Sequence, residues 1–330
     1  MRLHEYLMGR QRRLCFPWTG AAGLSRLGYT LHDVYRDPHK HLRLAKEMDR
    51  LLQADFVYPL DYGRIYAEAL GLPMLRPDHD FPSVLDHPVR DRETLAQFTV
   101  PDPAVSGPMP TYLEALHLIA ESSEKPLALS ISGPFTLGVL LVGAEAFARA
   151  IIKDPLFVED VLDFTNAVVG RYATAVVAAG ARFLCISEPT AVLLSPERFR
   201  ILVGERLRAI YDRFPTDVWR VLHICGNTNY LVQEMLACGA EGLSLDQVMD
   251  FPTLAPIIPS EVVLIGNLDP VQVLREFDPP AVTEHTLALL RAMRPFPNYL
   301  FSFGCDCAYD TPMENLIAAM EAARTPLSDL

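Results

Sequence analysis

Three segments of this chain end in side chains that commonly bind metals. They read Val218-Trp-Arg-Val-Leu-His223-Ile-Cys225, Leu243-Ser-Leu-Asp246 and Tyr299-Leu-Phe-Ser-Phe-Gly304-Cys305-Asp306-Cys307. A soft tetrahedral cation such as Zn²⁺ prefers imidazole and thiolate ligands, and a catalytic zinc usually keeps one of its four positions open. Because alternate residues of a strand share one face, His223 and Cys225 can point to the same side. A thiolate from the third segment would then complete a three-ligand site.

Spacing alone leaves a second interpretation open. The third segment lies far from the first along the chain, unlike the compact ligand spacing of a zinc finger. Buried cysteines and a hydrogen-bonded core histidine would give the same pattern without any metal. We interpret Cys15, Cys185 and Cys238 in this way, as small buried apolar residues.

Two acidic residues are further candidates for a catalytic role. We predict Asp246 either as a fourth metal ligand that a substrate displaces or as the hydrogen-bond partner that orients His223. Glu188 follows Cys185-Ile-Ser187 and would also stand at the end of a strand. Carboxyl groups at strand ends often lie near the active site of a barrel enzyme.

The elements that must position these residues are short apolar runs that alternate with segments of helical spacing. The candidate strands are Leu14–Trp18, Asp55–Pro59, Leu127–Ser132, Phe183–Ser187, Val218–His223, Gly242–Asp246, Val262–Asn267 and Tyr299–Gly304. Several are almost entirely apolar, which is typical of parallel strands buried on both faces. We therefore predict an α/β fold, a single (β/α)8 TIM barrel that spans residues 1–330, with its chemistry at the carboxyl ends of the strands.

Two regions depart from this repeat. The first fifty residues, above all Pro38–Leu52, predict an N-terminal helical extension. Residues 60–126, between the second and third strands, are rich in Pro, Asp and His. We expect there a long insertion of helices and loops that forms a lid over the barrel mouth.

Composition narrows the classes of function. Half of the residues are hydrophobic and 21% are charged, which allows a large core, and the net charge of -12 disfavours a nucleic-acid partner. No apolar run is long enough to span a membrane, and the first residues lack the apolar stretch of a signal peptide, so we expect a cytoplasmic protein. Without an export signal, the six cysteines are not expected to form disulfides.

Several motifs occur in an order that resembles the uroporphyrinogen decarboxylase superfamily. They are Val221-Leu-His-Ile-Cys-Gly-Asn-Thr-Asn229, Gly239-Ala-Glu-Gly-Leu-Ser-Leu-Asp246, Gly266-Asn-Leu-Asp-Pro270, Gly304-Cys-Asp306 and Thr311-Pro-Met-Glu-Asn315. Within the superfamily the chain is similar to the branch of cobamide-dependent methyltransferases, which includes the methylcobamide:coenzyme M enzymes. The resemblance implies a (β/α)8 barrel with zinc bound by His223, Cys225 and Cys305, and Cys307 as a non-ligand.

The function that the resemblance implies is zinc-dependent methyl transfer between a corrinoid (methylcobalamin) protein and a small acceptor or donor such as a thiol. A free thiol is mostly protonated at neutral pH, and zinc coordination would favour the nucleophilic thiolate. The chain has no Asp-x-His-x-x-Gly motif, by which a protein supplies a histidine to cobalt; Asp37-Pro-His39 has Leu42 where the glycine should be. The corrinoid is therefore expected on a separate partner protein.

Two other functions remain open. One is a metal-free decarboxylase of the parent family. The decarboxylases carry an arginine-rich motif near the N-terminus that binds substrate carboxylates, whereas Phe16-Pro-Trp-Thr-Gly-Ala-Ala-Gly23 contains no arginine. The other is a barrel that binds a corrinoid or tetrapyrrole without turning it over.

Overall fold

Six parallel strands form one continuous sheet and pair in the order in which they occur in the chain. The computed structural model describes residues 1–330. A short antiparallel pair of strands, β1 (Met74–Leu75) and β2 (Ser83–Val84), precedes this sheet in the chain. The six strands are β3 (Leu127–Ser132), β4 (Ala181–Ser187), β5 (Trp219–Ile224), β6 (Gly242–Leu245), β7 (Val263–Leu268) and β8 (Tyr299–Phe303). They agree closely with the last six predicted strands.

Two single bridges close the sheet into a barrel. Cys15 pairs in parallel with Phe301 of β8, and Val57 pairs in parallel with Leu127 of β3. The segments that carry these bridges are joined to each other, since the Asp55 amide donates to the Cys15 carbonyl at 3.0 Å. The predicted (β/α)8 barrel is thereby confirmed.

The first two barrel strands are nevertheless much shorter than predicted. Leu14–Trp18 and Asp55–Pro59 were expected as full strands, but neither forms an extended ladder. Pro17 and Pro59 have no amide to donate to a neighbouring strand. The Asp55 carboxylate also accepts the Cys15 amide at 2.8 Å, so a side chain occupies a ladder position.

Helices precede the six-stranded sheet in the chain, connect its strands and follow its last strand. They are α1 (Leu3–Leu7), α2 (Leu24–Leu27), α3 (Leu31–Arg36), α4 (Pro38–Leu52), α5 (Ile65–Ala69), α6 (Arg92–Leu95), α7 (Met109–Glu121), α8 (Pro134–Val142), α9 (Ala144–Lys153), α10 (Pro155–Ala178), α11 (Pro196–Phe199), α12 (Glu205–Tyr211), α13 (Val232–Ala237), α14 (Phe251–Leu254), α15 (Pro279–Ala292) and α16 (Met313–Ala323). The predicted helix Pro38–Leu52 is confirmed. Asp37 caps it by accepting the amides of His39 and Lys40, and Pro38 takes the first helical position.

The segment 60–126 combines irregular chain with a regular barrel helix. Its first part holds α5, the β1–β2 pair and α6, while its last helix, α7, packs against α4 and leads directly into β3. Only the earlier part, about residues 60–108, therefore departs from the strand–helix repeat.

The floor of the barrel is filled by apolar side chains. Phe16, Phe56, Phe183 and Trp219 pack there with further buried residues of alternate strand positions, and Leu3 of α1 belongs to the same cluster. The Trp219 indole donates to the carbonyl of Met1 at the N-terminus. This packing closes the amino end of the barrel, so the barrel interior can be reached only from its carboxyl end. No single helix is both long and apolar enough to cross a membrane; the pair α8 and α9 passes that test jointly but is bent by 104°.

Candidate functional site

Three potential metal-ligand atoms meet at the carboxyl end of the barrel. His223 Nε2 lies 3.0 Å from Cys225 Sγ, Cys225 Sγ lies 3.4 Å from Cys305 Sγ, and Cys305 Sγ lies 4.0 Å from His223 Nε2. The same three residues form the one group of His, Cys, Asp and Glu side chains whose ligand atoms all lie within 4.8 Å of one another. Cys307 is buried outside this cluster.

Strand geometry and two glycines place these residues. His223 lies in β5 and Cys225 follows its last residue, so both side chains point toward the barrel mouth. Gly226 then turns the chain with a φ of +84°, a conformation that favours glycine. Gly304 precedes Cys305 after β8, and a Cβ at this position would lie 2.5 Å from the Gln247 amide nitrogen. The loop carrying Cys305 can therefore approach the loop after β6 only with glycine at 304.

A hydroxyl on the neighbouring strand orients the histidine. Ser244 of β6 pairs with His223 across the strands, and its Oγ lies 3.0 Å from His223 Nδ1. The Trp18 indole N–H donates to the same Oγ at 3.1 Å. Since Ser244 Oγ can accept from both groups, the Nδ1–H tautomer of His223 is stabilised and Nε2 keeps its lone pair toward the sulfurs.

The structure places Asp246 beside this cluster rather than within it. One carboxylate oxygen accepts the Gly226 amide at 2.7 Å and the other accepts the Val248 amide at 3.0 Å. The Asp246 carboxylate thus fixes the turn that follows Cys225. Ser244, and not Asp246, occupies the Nδ1 side of the His223 ring, so these contacts do not give Asp246 the predicted role of orienting His223.

Glu188 lies beneath the start of α8 and does not line the cavity. Its carboxylate accepts the amides of Phe135 and Thr136 at 2.9 and 2.7 Å and the Thr136 hydroxyl at 2.7 Å. Burial raises its pKa to about 7, although these hydrogen bonds act in the opposite direction. The structure therefore does not bring Glu188 to the cluster, and these contacts give it a role in holding α8 against β4.

Burial and the close contacts change the acidity of the cluster itself. The pKa of the Cys305 thiol is raised, most strongly by its hydrogen bond with Cys225 and next by burial. Burial lowers the pKa of His223, but the hydrogen bond and charge of Cys305 more than offset it, so its pKa is raised. Two thiols and an imidazole held this closely are expected to release protons when a cation binds between them.

A cavity of about 200 Å³ opens next to the cluster. His223, Cys225 and Cys305 form one part of its wall, and the other lining residues are Trp18, Asp61, Gly63, Arg64, Phe81, Ser130, Ser132, Ser187, Pro189 and Asp306. Burial raises the pKa of the carboxyl groups of Asp61 and Asp306. The nearby charge of Asp306 raises the pKa of Asp61 further. The cavity thus combines potential metal ligands with two acids and one arginine.

The sequence reasoning missed most of this wall. Asp61 and Arg64 directly follow the second barrel strand, and Trp18 ends the first predicted strand. Applying the strand-end rule to those two strands would have found all three. No comparable signal marks Ser244, because its role depends on the pairing of β5 with β6.

Comparisons with known proteins agree with this architecture. The uroporphyrinogen decarboxylase (URO-D) family model matches residues 21–326. The methylcobamide:CoM methyltransferase MtbA of Methanosarcina acetivorans is 32% identical over 98% of this chain and 95% of its own length. A solved methyltransferase from Methanosarcina mazei superposes with a TM-score of 0.87 at 27% identity, covering 98% of this chain and 97% of its own. A uroporphyrinogen decarboxylase of Alkalilimnicola ehrlichii is 24% identical over 80% of this chain and 76% of its own length. The chain belongs to the uroporphyrinogen decarboxylase family.

Proposed function

We propose that this protein is a zinc-dependent methyltransferase that moves a methyl group from a corrinoid, carried by a separate protein, to a small thiol. The observation that carries the proposal is the cluster of His223, Cys225 and Cys305 at the edge of the cavity. It occurs in a chain that resembles methylcobamide:CoM methyltransferases over nearly its whole length.

The three side chains fit a zinc ion. With Zn–S bonds of about 2.3 Å and a Zn–N bond of about 2.0 Å, a tetrahedral site has ligand–ligand distances of roughly 3.5–3.8 Å. The observed separations of 3.0, 3.4 and 4.0 Å bracket that range. Three protein ligands beside a cavity leave a fourth position for a substrate, which is the arrangement of a catalytic site. Bound there, zinc would supply Lewis acidity that lowers the pKa of a substrate thiol.

The residues of the chain prepare this site before the substrate arrives. Ser244 and Trp18 fix the orientation of His223, and Asp246 fixes the turn after Cys225. Two thiolates and a neutral imidazole balance the charge of a divalent cation, so the site itself would be close to neutral. Segment 60–108 contributes Asp61, Arg64 and Phe81 to the cavity, and we infer that it covers the bound substrate.

The reaction balances without another reactant. The cobalt–carbon bond of the methylcorrinoid breaks, a sulfur–carbon bond forms, and the electron pair of the broken bond stays on cobalt, which passes from Co(III) to Co(I). The thiol proton leaves to solvent. Because only the methyl group must enter the cavity, the corrinoid can remain on its own protein at the barrel mouth.

The cavity is poorly suited to the parent decarboxylation. Arg64 is its only arginine or lysine, and the same wall contains two acidic residues, Asp61 and Asp306. A substrate with several carboxylates would need more cationic partners than this wall offers. The charge of the cavity therefore favours methyl transfer to a small molecule.

Metal content and turnover test the proposal. Purified wild type is expected to hold about one zinc per chain, and Cys225→Ala and Cys305→Ala are expected to lose it. Cys238→Ala is the matched control, since Cys238 is buried away from the cluster. Zinc-loaded wild type should then demethylate methylcobalamin with a thiol, which is followed by its absorption spectrum. Absence of metal after reconstitution under reducing conditions, or equal zinc content in all three variants, would refute the zinc site.

A further inference from the structure

A second cavity lies beside the one that contains the His223–Cys225–Cys305 cluster. It is a groove of about 320 Å³, and none of its lining residues also lines the first cavity. Helices α8 and α9, which are bent by 104° relative to each other, form two of its sides. Residues 190–195, which follow β4, and Arg198 of α11 form the remaining side. The methyl transfer proposed above does not use this groove.

The wall of the groove is mostly apolar. Nine of its twelve lining residues are hydrophobic, and Phe135, Phe147 and Leu194 are its buried part. Leu193 and Ile152 also line it, yet they are 84% and 74% exposed to solvent. Leu193 is the most exposed large apolar side chain of the protein. Single exposed apolar residues are common on protein surfaces, but two that line one apolar cavity indicate a site for an apolar group.

Arg198 supplies the only charge in this wall. Its Nη1 donates to the Ile151 carbonyl at 3.2 Å, and the side chain forms no salt bridge. The exposed Arg200 nearby, by contrast, pairs with Glu205 at 3.3 Å. Since an arginine carries five N–H donors, most of those of Arg198 are left for solvent or for an anion at the rim of the groove.

We propose that this groove binds a small aliphatic carboxylate, with its chain between α8 and α9 and its carboxylate on Arg198. The planar fork of arginine matches a carboxylate and can hold it with two hydrogen bonds. One cation in a wall without acidic residues favours a single negative charge and disfavours a positively charged ligand. The ligand would lie next to the first cavity without entering it, because the segment Pro189–Leu193 contributes Pro189 to that cavity and Leu193 to the groove.

The test compares ligands that differ in chain length or in head group. Binding of butanoate, hexanoate, octanoate, 1-octanol and octylammonium to the purified protein is measured by calorimetry at pH 7. Affinity should rise about two- to fourfold for each added methylene of the carboxylate series, the range expected for burying that group. Octanoate should bind about three- to tenfold more tightly than 1-octanol or octylammonium, since an exposed ion pair contributes modestly.

Two variants separate the two parts of the site. Arg198→Gln should remove the preference for octanoate over 1-octanol, and Arg198→Lys should restore part of it. The control Arg200→Gln removes the same charge outside the groove and should keep the preference of wild type. Leu193→Asp should weaken octanoate about tenfold or more, because it removes apolar contact and repels the carboxylate. Its control is Ile257→Asp, which alters an exposed apolar residue outside the groove and should bind octanoate as wild type does.

The inference is overturned if wild type binds no octanoate, or if it binds octanoate no more tightly than octylammonium. Equal weakening by Leu193→Asp and Ile257→Asp, with both variants folded by circular dichroism, would also overturn it. Because neither a thiol nor a methyl donor is present, these results do not depend on the proposed methyl transfer. Octanoate binding that requires Arg198 would stand even in a protein without methyltransferase activity.

Discussion

Replacing Ser244 with alanine tests whether a hydrogen bond from the neighbouring strand holds His223, the histidine of the proposed metal site. In wild type, Ser244 Oγ contacts His223 Nδ1 at 3.0 Å and accepts the Trp18 indole N–H at 3.1 Å. All three side chains are buried, so water cannot replace the missing hydroxyl easily. Ser244→Ala should therefore weaken zinc binding and destabilise the fold at the same time.

The expected losses of zinc affinity and of folding stability can both be estimated from these contacts. Loss of the group that orients a metal-bound histidine typically lowers metal affinity about 10- to 100-fold, which corresponds to about 1.4–2.7 kcal/mol. The Trp18 indole N–H would also lose its acceptor, at a cost of about 1–3 kcal/mol. Zinc affinity is measured by competition with a chromophoric chelator, and stability by urea unfolding of the metal-free protein.

Ser302→Ala is the matched control. Ser302 is also fully buried in a barrel strand, but its hydroxyl has no hydrogen-bond partner, so its removal should leave stability unchanged or raise it slightly. If Ser244→Ala binds zinc within twofold of wild type, His223 is held by packing alone and the reasoning is refuted. A loss of affinity shared equally by Ser302→Ala would instead indicate a general effect of truncating barrel serines.

Two further predictions concern the surroundings of the cluster, and a third concerns the buried Glu188 beneath α8. Asp246→Asn keeps one acceptor for the two amides that the carboxylate binds, so zinc affinity should fall several-fold while the fold persists in circular dichroism. Gly304→Ala places a Cβ 2.5 Å from the Gln247 amide nitrogen; it should displace the loop of Cys305 and abolish stoichiometric zinc binding, and normal metal content would contradict this. Glu188 keeps its proton in the folded state up to about pH 7, whereas the unfolded chain loses it near pH 4.5. Its contribution to the free energy of unfolding should therefore decrease between those pH values, by up to about 3 kcal/mol, and the stability of wild type relative to Glu188→Gln should decline over that window.

The sequence predicted the barrel and the His223–Cys225 pair because both depend on local patterns, whereas the family resemblance indicated Cys305 as the third member of the cluster. Apolar runs located β3 to β8 closely, and the alternation of side chains in β5 placed His223 and Cys225 on one face. The first two barrel strands were overestimated, since apolar character does not reveal that a proline or a carboxylate interrupts the hydrogen-bond ladder. Element type was therefore easier to predict than the extent of pairing.

Pairs of residues from different strands were harder to predict. Asp246 was a reasonable partner for His223 by strand-end position, yet the register of β5 and β6 puts Ser244 opposite His223 and leaves Asp246 with the Gly226 amide. Register depends on the packing of the whole barrel, which the residue pattern of a single strand does not display. Glu188 was likewise predicted near the cluster from its strand-end position, but amides at the start of α8 bind its carboxylate.

The three proposed ligands reach the site by two different mechanisms. In β5 the inward positions run from Trp219 at the floor through Val221 to His223, and Cys225 continues the same alternation at the mouth. In β8 the corresponding inward positions are Leu300 and Ser302, so the alternation continues to Gly304 and not to Cys305. Cys305 joins the cluster because the chain turns after β8, where Gly304 lets it pass the loop after β6. Strand rigidity therefore fixes the His223–Cys225 pair, while the third ligand depends on a loop contact. Substitutions in that loop should weaken metal binding without disturbing the barrel.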